Sequence, residues 1–166
     1  MAGTYEKIET TTASGSSTNV TFSSISGSYT DLVLIVANVT AQIDNVGIRL
    51  NSDTASNYSR TLLSANGTSV NGNRGFNDTY LYTMYKDTAG GNPVMAIMNF
   101  QNYSNSTIYK TVLTRTGTDS SGTKGTLSMV GVWRNTSAIT NISITSLNAN
   151  FNSGSTFTIY GILKAA

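Results

Sequence analysis

Apolar positions along this chain recur in steps of two. Val20 and Phe22 alternate with Asn19 and Thr21, and Val46, Ile48 and Leu50 alternate with Gly47 and Arg49. Val94, Ala96, Met98 and Phe100 share one side, with Met95 and Ile97 on the other. Leu127, Met129 and Trp133 form a similar series, as do Ile142 with Ile144, and Phe157 and Ile159 with Leu163. Successive side chains of a strand point to opposite faces, so each series predicts a strand with one face on a core. Leu32–Val39 is an almost unbroken apolar run, the pattern of a strand covered on both faces. Further strands are expected near Tyr5–Thr12, Tyr58–Leu63, Tyr80–Tyr85 and Ile108–Arg115.

No stretch has a convincing helical period, and the only glutamates are Glu6 and Glu9. Clusters rich in Gly, Asn and Ser punctuate the strands at Ala13–Ser16, Ser26–Ser28, Asn66–Gly67, Asn71–Asn73, Gly90–Pro93, Asp119–Gly122 and Asn152–Gly154. Such residues adopt turn conformations at low cost. About ten short strands separated by turns predict an all-β protein, an antiparallel sandwich or barrel. The 166-residue chain reads as a single domain. Met1–Thr4 is expected as a short N-terminal arm. Ser64–Pro93, the least regular stretch, is expected as a surface excursion.

Composition then removes whole classes of chemistry. There is no cysteine and no histidine, which excludes disulfides, thiol catalysis, Ser-His-Asp triads and the usual zinc sites. Charged residues make up 11% of the chain, with a net charge of +2. An ordinary domain has about 25% charged residues, so the basic isoelectric point reflects few titratable groups. Ser, Thr and Asn account for 66 of the 166 residues, enough to explain the nine Asn-x-Ser/Thr triplets without glycosylation. The start of the chain has no apolar segment of a signal peptide. No apolar run approaches membrane-spanning length.

Four groups of residues are candidates for function. Asn51, Asp53 and Asn57 place three oxygen donors in one loop, a set that suits a hard cation. The same residues build Asx-turns, the reading the spacing favours, so no metal or cofactor is expected. Tyr80, Tyr82 and Met84 fall on one face of a predicted strand, with Tyr85 beside them. Such a stripe serves a core, a protein contact or a sugar platform. Trp133 shares the side of Leu127 and Met129 and is expected in the core. Arg49, Lys110, Arg115 and Arg134 lie in or beside strands without clustering in sequence, which suits solvated faces or subunit ion pairs better than nucleic acid. The eight carboxylates are scattered and mostly in turns, where Asp caps the backbone. An enzyme is therefore not expected.

Three stretches carry a resemblance. They are Ser17–Ile25 running into Tyr29–Leu34, then Ile48–Ser59, then Gly131–Thr140 with Asn150–Gly161. In order and spacing they resemble small virion structural proteins of tailed bacteriophages, of the cyanophage type. The resemblance implies a jelly-roll β-sandwich on the outer capsid surface. It implies a cement or decoration protein that forms a homotrimer and bridges major capsid subunits, with no role for nucleic acid or membrane. Tyr80, Tyr82, Met84 and Tyr85 are then the candidate subunit or capsid contacts. The alternative is a tail-fibre or spike head that binds host surface carbohydrate.

Overall fold

The computed structural model describes residues 4–39, 46–84, 94–120 and 123–163. Twelve strands are present among them: β1 (Tyr5–Thr12), β2 (Asn19–Phe22), β3 (Asp31–Val39), β4 (Val46–Leu50), β5 (Tyr58–Ala65), β6 (Val70–Asp78), β7 (Leu81–Met84), β8 (Val94–Gln101), β9 (Lys110–Ser120), β10 (Thr123–Trp133), β11 (Ile142–Ser146) and β12 (Thr156–Ile162). All the strand pairings are antiparallel.

The alternation read from the sequence decides which side of each strand is covered. Leu32, Leu34, Val36, Ala96, Met98, Phe100, Phe157 and Ile159 line the inner face of one sheet. Val46, Ile48, Leu50, Leu81, Ile142 and Ile144 face them from the other. Burying each such side chain contributes about 1.5–3 kcal/mol. Phe151 meets Phe157 edge-on, with centroids 4.8 Å apart.

Strand order identifies the fold as a jelly roll. One sheet runs β1-β12-β3-β8-β9-β10-β5-β6 and the other β2-β11-β4-β7. Setting β5–β6 and β9–β10 aside, the chain crosses between sheets at each step from β1 to β4, stays in the smaller sheet for β7, and crosses again at β8, β11 and β12, giving β1-β12-β3-β8 in one sheet and β2-β11-β4-β7 in the other. This is the wrapping of a jelly roll. Two hairpins are added to it. β5–β6 leaves between β4 and β7, and β9–β10 leaves between β8 and β11. Both join the larger sheet beyond β8, which therefore has eight strands against four.

Residues 70–78 differ from the expected irregular excursion by forming β6, while β7 falls where a strand was expected near Tyr80–Tyr85. Asn71–Asn73, expected as a turn, lies inside β6, where it pairs with Leu62–Ser64. An edge strand packs little, so Gly and Asn there are tolerated while the backbone ladder holds them. The turn of this hairpin is at Asn66–Gly67. The Asn66 side-chain oxygen accepts from the Thr68 and Ser69 amides, and Gly67 takes φ +89°. Residues 85–93 lie outside the described residues. At the start of the chain, the Thr4 carbonyl accepts from the Leu163 amide.

Candidate functional site

The smaller sheet turns a polar face outward. Its inward residues are mostly apolar, with Thr83 and Ser146 also buried, so the alternate positions Asn19, Thr21, Asn141, Ser143, Thr145 and Arg49, with Gly47 between them, face away from the core. Register aligns them in two rows, Thr21–Ser143–Arg49 and Asn19–Thr145–Gly47–Tyr82. The Thr21 and Ser143 hydroxyls are 3.0 Å apart.

At the β7 edge the rows meet Tyr80 and Tyr82. The two rings cross edge-on, with centroids 4.5 Å apart, and their hydroxyls share a hydrogen bond. Tyr80 lies over Gly47, where a Cβ would come 2.8 Å from its Cδ2. Arg49 Cζ stands 5.7 Å from the Tyr80 centroid, and its Nε donates to the Thr79 carbonyl at 3.1 Å. Arg60 reaches over from β5, placing Cζ 4.1 Å from the Tyr82 centroid while it pairs with Asp78. Burial first, then the Tyr82 hydroxyl and the Asp78 charge, push the Tyr80 hydroxyl up to about 12. Tyr80 and Tyr82 are thus half-buried and tied to arginines at the rim. Met84 ends β7, and Tyr85 lies outside the described residues.

Linear reading named Arg49 and Arg134 but missed Arg60 and Arg74 and the aromatic rings beneath all four. Arg49, Arg60, Arg74 and Arg134 come from four segments, and each stands over an aromatic ring. Arg74 and Arg134 flank exposed Phe76, with Cζ at 5.6 and 4.7 Å from its centroid. Arg134 also donates to Ser56 O and Asn77 Oδ1. Buried Arg60 Nε and Arg134 Nη1 have no acceptor among the described residues. Lys110 corrects the expectation of a solvated cation: it is fully buried, and Nζ donates to the carbonyls of Ile108 and Thr136 at 2.7 and 2.9 Å. Arg115 is exposed.

The outer face of the larger sheet has the opposite character. Met95, Val130, Leu63, Val70 and Phe76 are outward apolar residues of β8, β10, β5 and β6, exposed by 48–74%. Register sets Ile97, Arg115, Ser128 and Leu63 in one row across four strands. A groove of about 470 Å³ opens among Leu63, Val70, Met95, Ile97 and Arg115. Arg115 lines the groove, and Arg74 and Arg134 stand beside Phe76 at its far side.

Asn51, Asp53 and Asn57 form a structured turn. Asn51 Oδ1 accepts from the Thr140 and Asn141 amides. Asp53 accepts from Ala55 N, Asn57 Nδ2 and Trp133 Nε1. These donors occupy the Asn51 and Asp53 oxygens that a cation would need. Trp133 is buried, as its side of the strand predicts, and stacks on Tyr58 at 6.4 Å.

No protein-family model matches the sequence, and no curated protein matches it. Among solved structures, the chain is similar to a toad ovary galectin in complex with thio-digalactose, with a TM-score of 0.42 and 13% identity, covering 87% of this chain and 99% of the galectin. It is also similar to a Caenorhabditis elegans galectin, with a TM-score of 0.38 and 9% identity, covering 90% and 94% of the two chains. An exo-inulinase from Aspergillus awamori aligns with a TM-score of 0.37 and 10% identity, over 96% of this chain and 29% of the enzyme.

Proposed function

We propose that this chain is a structural protein of a tailed-phage particle, a cement protein that packs on the outer capsid surface as a homotrimer and bridges major capsid subunits. It works by binding, without catalysis or cofactor. The observation that carries this reading is the outward apolar face on the two added hairpins. The added hairpins give their inner face to the core through Tyr58, Val112, Met129 and Trp133, yet β5–β6 and β9–β10 also present Leu63, Val70, Phe76 and Val130 to solvent on the other face. Contiguous apolar surface of this kind marks protein contact sites. Aromatic, Met and Arg side chains are the residue types that anchor such contacts. The Ser/Thr/Asn-rich remainder carries little charge to desolvate. The face therefore supplies the capsid contact, and Tyr80 and Tyr82 stand at the opposite sheet.

Particle reconstruction and washing test this reading. The protein is expected on heads, in threefold sets, and retained at both about 0.1 and about 1 M salt, because apolar burial is not screened. A double variant, Leu63→Asp with Met95→Asp, should fold but fail to attach to particles lacking the protein. Loss at high salt would overturn the apolar contact. Signal on tails alone would move the protein to the fibre reading.

A further inference from the structure

We propose that the outward face of the four-stranded sheet is a binding site for an acidic saccharide. The site is separate from the apolar face that would seat the capsid. Three observations meet there. The first is the double row of small polar side chains, Thr21–Ser143–Arg49 and Asn19–Thr145–Gly47–Tyr82, held flat by strand pairing. Neighbouring strands lie about 4.8 Å apart, so hydroxyls and amides recur at intervals that suit the hydroxyls of successive sugar rings.

The second is a fixed, unneutralised cation at the end of those rows. The bond from Arg49 Nε to Thr79 O, together with the Tyr80 ring, orients the guanidinium. Its two terminal nitrogens have no acceptor among the described residues. Nearby, Arg60 uses Asp78, but its buried Nε is unsatisfied. Arg60 Nε is buried, so Arg60 adds only its charge, and an arriving carboxylate or sulfate supplies acceptors to the Arg49 terminal nitrogens. Planar guanidinium groups match such anions with paired hydrogen bonds.

The third observation decides between ligand classes. Within β2, β4 and β11 no large aliphatic side chain is exposed, and Leu147 lies just past the end of β11. An acidic peptide would find no pocket for its side chains. A polyhydroxylated acid finds hydroxyls and amides along the rows, tyrosine rings at their edge and a guanidinium at their end.

The test uses the full chain, titrated with an oligouronate tetrasaccharide, a neutral tetraglucoside, a tetraglutamate peptide and inorganic sulfate, and followed by amide chemical shifts. The oligouronate should move the signals of Thr21, Arg49, Ser143 and Tyr82, with a Kd of about 1 mM or tighter. Arg49→Gln should weaken binding by about tenfold or more. Thr145→Asp, which sets a like charge on the platform, should do the same and decides the matter if Arg49→Gln does not fold. The proposal is overturned by no response to the oligouronate at about 10 mM, by shifts confined to other strands, or by undiminished binding in the folded variants. It is equally overturned if the neutral sugar or sulfate alone binds as tightly, and a peptide that binds as well would make this an acidic-peptide site.

Discussion

Trp133 Nε1 donates to Asp53 Oδ2 at 2.7 Å, tying the end of β10 to the loop after β4. The contact joins an added hairpin to the smaller sheet. Partial burial pulls the Asp53 pKa upward, but the Asn57, Trp133 and Ala55 donors outweigh it and hold the carboxyl below its ordinary 3.8. An acid with a lowered folded-state pKa stabilises the fold above its unfolded value, and that stability is lost as pH falls through the folded one. Asp53→Ala should cost about 1–3 kcal/mol by leaving donors unmet. Its acid-unfolding limb below pH 4 should be shallower than that of the parent, as read by urea midpoints across that range.

Lys110 predicts a dependence of the same sense, but at high pH. Burial lowers its pKa from 10.5, and carbonyls, not a carboxylate, receive its protons. Between the lowered value and 10.5 the unfolded chain binds more protons, so this group makes stability rise with pH across that window. Tyrosines also titrate there, so the readout is the difference between the parent and Lys110→Met. The rise should be present in the parent relative to the variant. Parallel stability curves would sink the idea.

Leu34 and Phe157 have no exposed surface. Truncating either to Ala should cost about 2–5 kcal/mol through lost burial and a residual cavity. Outward Thr158→Ala should change stability by less than about 0.5 kcal/mol. Chemical denaturation distinguishes the two outcomes.

Chelation tests the loop of Asn51, Asp53 and Asn57. Its oxygens already accept from amide and indole donors, so EDTA should leave the melting temperature unchanged. A fall of several degrees would show a cation displacing those bonds.

The jelly-roll core was legible because its strands are buried on one face and exposed on the other. Val94–Phe100 alternates as its neighbours β3 and β9 require, and Tyr5–Thr12 has the observed bounds. β6 was not legible: Val-Asn-Gly-Asn-Arg-Gly-Phe-Asn-Asp has no buried residue, so nothing imposes a period of two. The Arg49–Tyr80–Tyr82–Arg60 group was half legible. The tyrosines are adjacent in sequence, but the arginines join them only through the pairing of β4 with β7 and the reach of β5. Lys110 was misread because its charge hides a side chain whose two acceptors come from separate loops.

The placement of β11 and β12 governs how the molecule is made. β12 lies between β1 and β3, and β11 between β2 and β4. Until these strands leave the ribosome, β1 and β2 have no partner in either sheet, and the apolar β3 has one open edge. At about 5–20 residues per second, the earlier strands wait seconds for their neighbours. Completion therefore depends on contacts far apart in sequence, which fold slowly. A nascent chain stalled after β10 can pair β3-β8-β9-β10-β5-β6 and β4 with β7, but it leaves β1 and β2 unpaired, and the open edges of β3 and β4 are available to other stalled copies.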